Sequence, residues 1–287
     1  MKSYIKPWEE LKFTDDYMFC KIMRDKKICK EVVETILNIK IKKINYIIDQ
    51  EELRISPESK YVKLDIRLED IDKIINVELQ NINHRGLVKR ARYYQSVSDV
   101  ESTQKGLDYN DLKDNYVIFI CNFDPFATGS PYYEFENVCL KHNPALKLED
   151  GTKKIFLNTT ATDLSKLDLK LQSLYHYIKS EKVESDFTNS IAQKLSSIKL
   201  KIKERKYYMT YTLKLMDYKK KGFDEGLQVG RNEGIKFGIE RGTREKTIEI
   251  AINLLKNNMT IDFIEKTTGL SSSEIEELRE NIEDYKV

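Results

Sequence analysis

Two alternating runs of apolar and polar residues, joined by a short polar link, constrain the fold more than any other feature of the chain. In the runs at 61–69 and 74–80, an apolar residue stands at every second position. This period of two is typical of a β-strand with one buried face. The link at 70–73 has the length and polarity of a hairpin turn. We therefore predict that the two runs pair as an antiparallel β-hairpin.

The register of this hairpin predicts which polar side chains meet. Closing the turn symmetrically about residues 71 and 72 places Asp65 opposite Glu78 and Lys63 opposite Gln80. Residues directly opposite on antiparallel strands project to the same side, with Cβ atoms about 4.5–5.5 Å apart. Two such carboxylates repel one another unless a cation lies between them, and Mg²⁺ or Mn²⁺ prefers oxygen ligands. The pattern therefore has two interpretations, a divalent-metal site or the solvated polar face of an ordinary hairpin. A register shift of one residue would remove the juxtaposition.

The segments around the hairpin predict a mixed α/β core. Apolar residues at helical spacing predict helices over 16–38 and 85–101. Further strands are predicted at 44–49, 116–123 and 154–158. This order of elements favours a mixed sheet flanked by helices.

The chain beyond about residue 163 is helical in pattern and differs from the core in composition. We expect four regions: an α/β core at 1–180, a long basic helical region at 181–221, a segment with glycine at every fourth position at 222–242, and a small helical module at 243–287.

Composition excludes some classes of site and partner. The 49 basic and 47 acidic residues nearly balance, so a surface that binds nucleic acid must be local. The four cysteines form no CxxC pair and the three histidines are scattered, which argues against a structural zinc site. The N-terminus lacks an apolar signal core, and the longest strongly apolar stretch, 116–123, is too short to span a bilayer. We expect a soluble, cytoplasmic protein with no membrane partner.

Five segments of the chain resemble a known family in their order and spacing. They are FTDDYMFCKIM, KLDIRLED…INVELQ, KRARYYQ, YVIFICNFDPF and KKIFLNT. Together they resemble the bacterial Rpn family of recombination-promoting nucleases, also classed as transposases of the PD-(D/E)XK superfamily, over about residues 8–220. The resemblance implies a PD-(D/E)XK restriction-endonuclease-like α/β core followed by an α-helical C-terminal tail. It also implies a Mg²⁺-dependent DNA endonuclease with little sequence specificity, linked to recombination, transposition-like mobility or defence.

The resemblance assigns roles to individual residues. Asp65 and Glu78 would be the two acids of the superfamily signature and, with the main-chain carbonyl of Leu79, would ligate Mg²⁺ or Mn²⁺. Gln80 stands where the superfamily pattern has lysine, so it would orient groups by hydrogen bonds without supplying positive charge. Asp16 matches an upstream acid of the family, and its alternative interpretation is a helix cap.

A cationic stripe follows the acidic strand. Arg85, Lys89 and Arg92 are spaced by four and three, which puts them on one face of a helix. Cations beside a metal site suit the DNA backbone, because phosphate contacts position a duplex without reading its sequence. The alternative is a solvated helix face.

The C-terminal tail carries the only obvious internal repeat. Its glycines recur every four residues, at 222, 226, 230, 234, 238 and 242. Each glycine costs a helix about 0.8–1 kcal/mol relative to alanine, so the run needs a reason. It is either a small-residue groove for helix self-association or a hinge, and we favour association into a homo-oligomer.

The last segment resembles a small helix-turn-helix with Gly269 at the turn. Its second helix carries four glutamates and one arginine, a surface that repels phosphates. A protein-interaction module is therefore favoured over DNA binding.

Two alternatives to a DNA endonuclease stay open. One is an inactive oligomeric module that binds DNA or protein on a nuclease fold, and the other is a ribonuclease. The intact set of Asp65, Glu78 and Gln80 argues against the inactive module.

Overall fold

The computed structural model describes residues 5–53, 62–103, 106, 108–141 and 146–281, with the backbone alone at 46–53 and 62–63. Contacts divide the chain into two units, Met1–Thr210 and Tyr211–Val287. The first unit contains the sheet, and the second is helical.

The first unit alternates helices and strands. In chain order these are α1 (Asp16–Met23), α2 (Lys26–Leu37), β1 (Tyr46–Leu53), β2 (Val62–Glu69), β3 (Lys73–Gln80), α3 (Leu87–Ser102), β4 (Asp114–Cys121), β5 (Tyr132–Phe135), β6 (Thr152–Asn158), α4 (Leu169–Ser180), α5 (Asp186–Lys199) and the start of α6 (Ile202–Lys256). Single 3₁₀ turns lie at Trp8–Glu10 and Tyr109–Asp111.

The sheet is mixed, which confirms the predicted fold class. Its strand order is β1-β2-β3-β4-β6-β5. The pairs β1–β2, β2–β3 and β5–β6 are antiparallel, while β3–β4 and β4–β6 are parallel. Helix α3 supplies the crossover between the parallel strands β3 and β4. Both faces of β4 are buried, as expected for a strand between parallel neighbours.

The predicted hairpin register is confirmed. The paired residues of β2 and β3 run from Ile66 opposite Val77 to Glu69 opposite Ile74. The turn is held by the Asp70 N–H, which donates to the Lys73 carbonyl at 2.9 Å. This ladder ends one residue before Asp65 and Glu78, so the two acids lie where the strands stop pairing.

Helix α3 is fixed to the sheet by a buried amide pair. Gln95 Nε2 donates to the carbonyls of Asn115 at 2.8 Å and Lys153 at 3.1 Å. Asn115 Nδ2 donates in return to the Gln95 carbonyl at 3.0 Å and to Asp99 Oδ1 at 2.7 Å. Apolar side chains complete the contact with the sheet, among them Ala91, Tyr94, Val97, Val117, Phe119 and Phe156. The register of α3 over β4 and β6 is therefore set by polar as well as apolar contacts.

Three elements differ from the sequence prediction. The helix predicted at 16–38 is two helices, because the Asp25 carboxylate accepts from the main-chain N–H groups of Lys27 and Ile28 and starts α2 afresh. Strand β5 was not predicted; it pairs with β6 at the sheet edge and is half-exposed. The long basic helical region predicted at 181–221 is interrupted after Lys199, and α6 then continues through the glycine repeat to Lys256.

The second unit closes on a small core of its own. Its helices after α6 are α7 (Ile261–Thr268) and α8 (Ser272–Glu280). The buried residues of this core are Ala251, Ile252, Ile264, Leu270, Ile275 and Leu278. Gly269 caps α7 at φ 75°, a left-handed conformation that favours glycine at this turn. Within the described residues, no helix is both long and apolar enough to cross a membrane.

The buried amide pair yields the first prediction. Gln95→Leu should lower the free energy of unfolding by about 1–3 kcal/mol, because it removes the donor to two main-chain carbonyls inside the protein. Urea denaturation followed by circular dichroism measures the change. The matched control is Ser96→Ala, an exposed neighbour whose hydroxyl donates only to the Arg92 carbonyl of its own helix. Equal midpoints for the two variants would contradict the role given to Gln95.

Candidate active site

The carboxylates of Asp65 and Glu78 each accept a hydrogen bond from the main chain of the opposite strand where β2 and β3 stop pairing. The Asp65 N–H donates to Glu78 Oε1 at 2.9 Å. In return, the N–H of Leu79 donates to Asp65 Oδ2 at 3.0 Å. Two carboxylates thus replace the next main-chain bonds of the ladder, which fixes both side chains against the same short length of strand. The predicted juxtaposition of the two acids is present.

The site brings two acidic side chains together in a partly buried position. Glu78 is only 3% exposed, whereas Asp65 is half-buried. Burial raises the pKa of the Glu78 carboxyl well above its ordinary value, and the nearby Asp65 carboxylate raises it further. The guanidinium of Arg90 acts in the opposite direction and lowers that pKa. Burial and the neighbouring acid therefore oppose ionisation of Glu78, and Arg90 favours it.

Leu79 lies at the centre of the arrangement through its main chain. Its N–H binds Asp65, and its carbonyl accepts from Gln80 Nε2 at 2.9 Å. A carbonyl oxygen has two lone pairs, so this bond leaves it able to face a cation. The described residues contain no group of three or more His, Cys, Asp or Glu side chains fit to hold a metal ion. The donors that the site offers are therefore two carboxylates and one main-chain carbonyl, all hard oxygens of the kind that Mg²⁺ and Mn²⁺ prefer.

Gln80 is buried beside the two acids. Its side chain is 9% exposed, and its carboxamide is turned back onto the Leu79 carbonyl. A neutral amide here adds hydrogen-bonding capacity and no charge. The predicted partner across the hairpin was Lys63, whose side chain lies outside the described residues.

Asp16 lies at the edge of the site. It is exposed, and its Oδ1 accepts from Asn81 Nδ2 at 3.3 Å, directly after the last residue of β3. Its charge reaches Glu78, where it raises the pKa of that carboxyl. The helix-cap alternative fails in its simple form, because the N-cap of α1 is Asp15 and no side-chain cap bond forms there. Asp16 is thus near the acid pair, although it does not form a three-acid metal cluster with it.

The predicted cationic stripe is only partly helical. Lys89 and Arg92 are exposed on α3. Arg85 is exposed too, but α3 begins at Leu87 after Gly86, whose φ of 89° breaks the helical path. Helical spacing therefore relates Lys89 to Arg92 and does not fix Arg85 relative to them.

Sequence reasoning missed Arg90. Its guanidinium carbon lies 5.2 Å from the ring centre of Phe119 and 5.6 Å from that of Tyr94. This side chain turns toward the sheet, unlike its basic neighbours. The signal was present in the segment KRARYYQ, because Arg90 adjoins Ala91 on the buried stripe of α3. Three of the four residues at 89–92 are basic, however, and the pattern does not say which of them faces inward.

Comparison with known proteins gives one family. A model described as PD-(D/E)XK nuclease family transposase matches residues 13–222. The matched span includes the whole sheet, the acid pair and helix α3. No curated protein and no solved structure matches the chain.

The raised pKa of Glu78 yields the second prediction. The folded chain holds a proton on this carboxyl at pH values where the unfolded chain has lost it, so the free energy of unfolding falls as pH rises through that interval. Above the interval, Glu78→Gln should be more stable than the wild type by about 1 kcal/mol or more, because an amide carries no charge to bury. The gain should shrink as pH falls to the ordinary carboxyl range.

Thermal unfolding in EDTA from pH 4 to pH 8 tests this expectation. Glu10→Gln, at an exposed carboxylate, is the control and should show little change at any pH. A stability difference for Glu78→Gln that does not vary with pH would contradict the assignment.

Proposed function

The chain belongs to the PD-(D/E)XK nuclease family transposases, and from that membership and its acid pair we propose that it is a divalent-metal-dependent DNA endonuclease. The observation that carries the proposal is the pair of bonds at the end of the β2–β3 ladder, in which Glu78 accepts from the Asp65 N–H and Asp65 accepts from the Leu79 N–H. A buried pair of like charges costs stability unless it serves a bound cation. Two carboxylates beside a main-chain carbonyl provide oxygen ligands for such a cation.

The roles of the residues follow from their chemistry. Asp65, Glu78 and the Leu79 carbonyl would hold Mg²⁺ or Mn²⁺. Such an ion, when bound, polarises the phosphodiester and lowers the pKa of a water. Gln80 lies next to these donors, and its carboxamide would orient the attacking water or a phosphate oxygen by hydrogen bonds. Asp16, at the edge of the site, would add a further acid toward the metal or its water shell.

Exposed cations would position the substrate. Lys89 and Arg92 project from α3, whose N-terminal turn follows the acidic strand, and Arg85 precedes that turn. Contacts of this kind with phosphates carry no sequence information. We therefore propose that the enzyme cuts with little sequence specificity, and that its biological setting is recombination, transposition-like mobility or defence.

The glycine repeat supports a second proposal, that α6 self-associates. All residues at 222–242 are exposed, and a Cβ built on any of the six glycines meets nothing within 4 Å. Large apolar side chains flank the glycines on the same helix: Phe223, Leu227, Val229, Ile235, Phe237 and Ile239, each more than half exposed. A second α6 would cover these side chains and approach closely along the glycines.

The acid pair yields the third prediction. Asp65→Ala and Glu78→Ala should each abolish nicking of supercoiled plasmid in Mg²⁺, and the double variant should be little worse, because either loss empties or misplaces one shared ion. Gln80→Ala should be milder, since a neutral amide does not hold the charge of the metal. Glu10→Ala, an exposed acid far along the chain, should cut at the wild-type rate.

Cleavage is measured as initial rate at saturating Mg²⁺, with EDTA as the metal-free control and circular dichroism as the folding control. Undiminished cutting in EDTA, or a folded Asp65→Ala protein that cuts at the wild-type rate, would overturn the proposed site. A structured RNA assayed in parallel distinguishes a ribonuclease from a deoxyribonuclease.

The glycine face yields the fourth prediction. Gly230→Leu with Gly234→Leu should raise intrinsic helix propensity but reduce the mass measured by light scattering, because leucine blocks the close approach of a second helix. The control pair is Gln228→Leu with Asn232→Leu, which has the same spacing on the opposite side of α6. A mass unchanged by the glycine substitutions would refute association through this face.

A further inference from the structure

Arg90 is held in a fixed position by two aromatic rings. Its guanidinium carbon lies within 5.6 Å of the ring centres of both Tyr94 and Phe119. Both rings are at least nine-tenths buried, and Phe119 is fully so. Cations over aromatic faces are stabilised, and more so when water is excluded. The aromatic contacts therefore hold the guanidinium group against the sheet before any ligand arrives.

Two nitrogens of the same guanidinium lack hydrogen-bond acceptors. Nε and Nη2 of Arg90 are buried and have no hydrogen-bond partner in the described part of the chain. A buried donor left without an acceptor destabilises the folded chain, and more so when the group is charged. Such groups are uncommon in folded proteins and call for an explanation. An acceptor from outside the chain would remove the cost.

The surroundings of Arg90 restrict what that acceptor is. Its guanidinium carbon lies 5.2 Å from the ring centre of Phe119, and Phe119 is the partner of Glu78 in the parallel register of β3 and β4. Paired residues of neighbouring strands project to the same face of a sheet, so Arg90 lies on the face that carries Glu78. The ligand must therefore fit beside Glu78 and bring negative charge together with closely spaced oxygens. Phosphate oxygens match the fork of a guanidinium in this way.

We propose that Arg90 is a catalytic residue that binds the non-bridging oxygens of the phosphodiester to be cleaved. The proposal rests on the nuclease function above. Arg90 gives the site the positive charge that Gln80 does not supply. The neighbouring Lys89 and Arg92 are exposed and bind the flanking backbone, where water weakens each contact.

Arg90→Met and Arg90→Lys test the proposal. Methionine keeps an unbranched side chain over Phe119 and Tyr94 but carries no charge, whereas lysine keeps the charge and loses the fork. The control is Lys89→Met, which removes the same charge from an exposed neighbour on the same turn. Each protein is assayed as the full chain on a fluorescent 20-base-pair duplex, for kcat/KM in Mg²⁺ and for Kd in EDTA over a range of salt concentrations.

We expect Arg90→Met to lower kcat/KM by about 10²–10³-fold, the loss typical of removing one preorganised donor to a developing charge. Arg90→Lys should retain an intermediate rate. The slope of log Kd against log salt should become shallower by about 0.9 for Arg90→Met and stay unchanged for Arg90→Lys. Lys89→Met should reduce the slope and lower kcat/KM by less than Arg90→Met does, because water weakens the contact of an exposed cation.

Four results would overturn the proposal. They are a wild-type rate for folded Arg90→Met, a salt slope that Arg90→Met leaves unchanged, a loss of rate that higher Mg²⁺ restores, and unfolding of both Arg90 variants. If higher Mg²⁺ restores the rate, Arg90 acts as a counter-ion of Glu78. If both variants unfold, the role of Arg90 is structural. If only Arg90→Met unfolds, the comparison of Arg90→Lys with the wild type decides, because loss of the fork should still lower kcat/KM.

Failure of the nuclease function itself gives a different result. In that case the wild type cuts no DNA in Mg²⁺ or Mn²⁺, while Arg90→Met still flattens the salt slope. That outcome would refute cleavage and support phosphate binding by Arg90.

Discussion

The site depends on the exchange of hydrogen bonds between two acids and the opposite strand. The β2–β3 ladder ends at Ile66 and Val77, and the next two main-chain donors are taken by the carboxylates of Glu78 and Asp65. These charge-assisted bonds are stronger than the neutral bonds they replace. They also fix the acids in place before any ligand binds, because each carboxylate is held by the backbone rather than by another mobile side chain. The placement of the candidate metal donors follows from this one exchange.

The same exchange concentrates charge that the chain only partly neutralises. Glu78 is buried beside Asp65, with Asp16 within electrostatic range, and Arg90 is the cation that opposes them at Glu78. A core selected for stability alone would have apolar side chains here. Helix α3 instead presents Arg90 toward the sheet and holds its own register through the Gln95–Asn115 amide pair. The buried polar residues thus position the charges and do not merely fill the interior.

The amino-acid sequence alone predicted the hairpin but not the side chains that surround the two acids. The register of β2 and β3 followed from a period of two and a short turn, both of which are local properties. The break between α1 and α2 depends on which aspartate caps a helix. Strand β5 depends on its pairing with β6, which begins 17 residues after β5 ends. The inward turn of Arg90 depended on Phe119, which approaches it through the parallel pairing of β3 with β4. Long-range pairings of this kind leave little trace in a local pattern.

The contrast between Gln80 and Arg90 explains how a site without the signature lysine retains a cation. A lysine at position 80 would lie on the strand that carries Glu78, with its charge next to the candidate metal donors. Gln80 instead bonds to the Leu79 carbonyl, one of those candidate donors, and adds no charge. The cation comes from α3, where Arg90 lies over the ring of Phe119. The buried amide pair joins α3 to β4 and β6, so the helix that carries this cation is fixed to the sheet by polar contacts. The family match spans both elements, which is what a site divided between them requires.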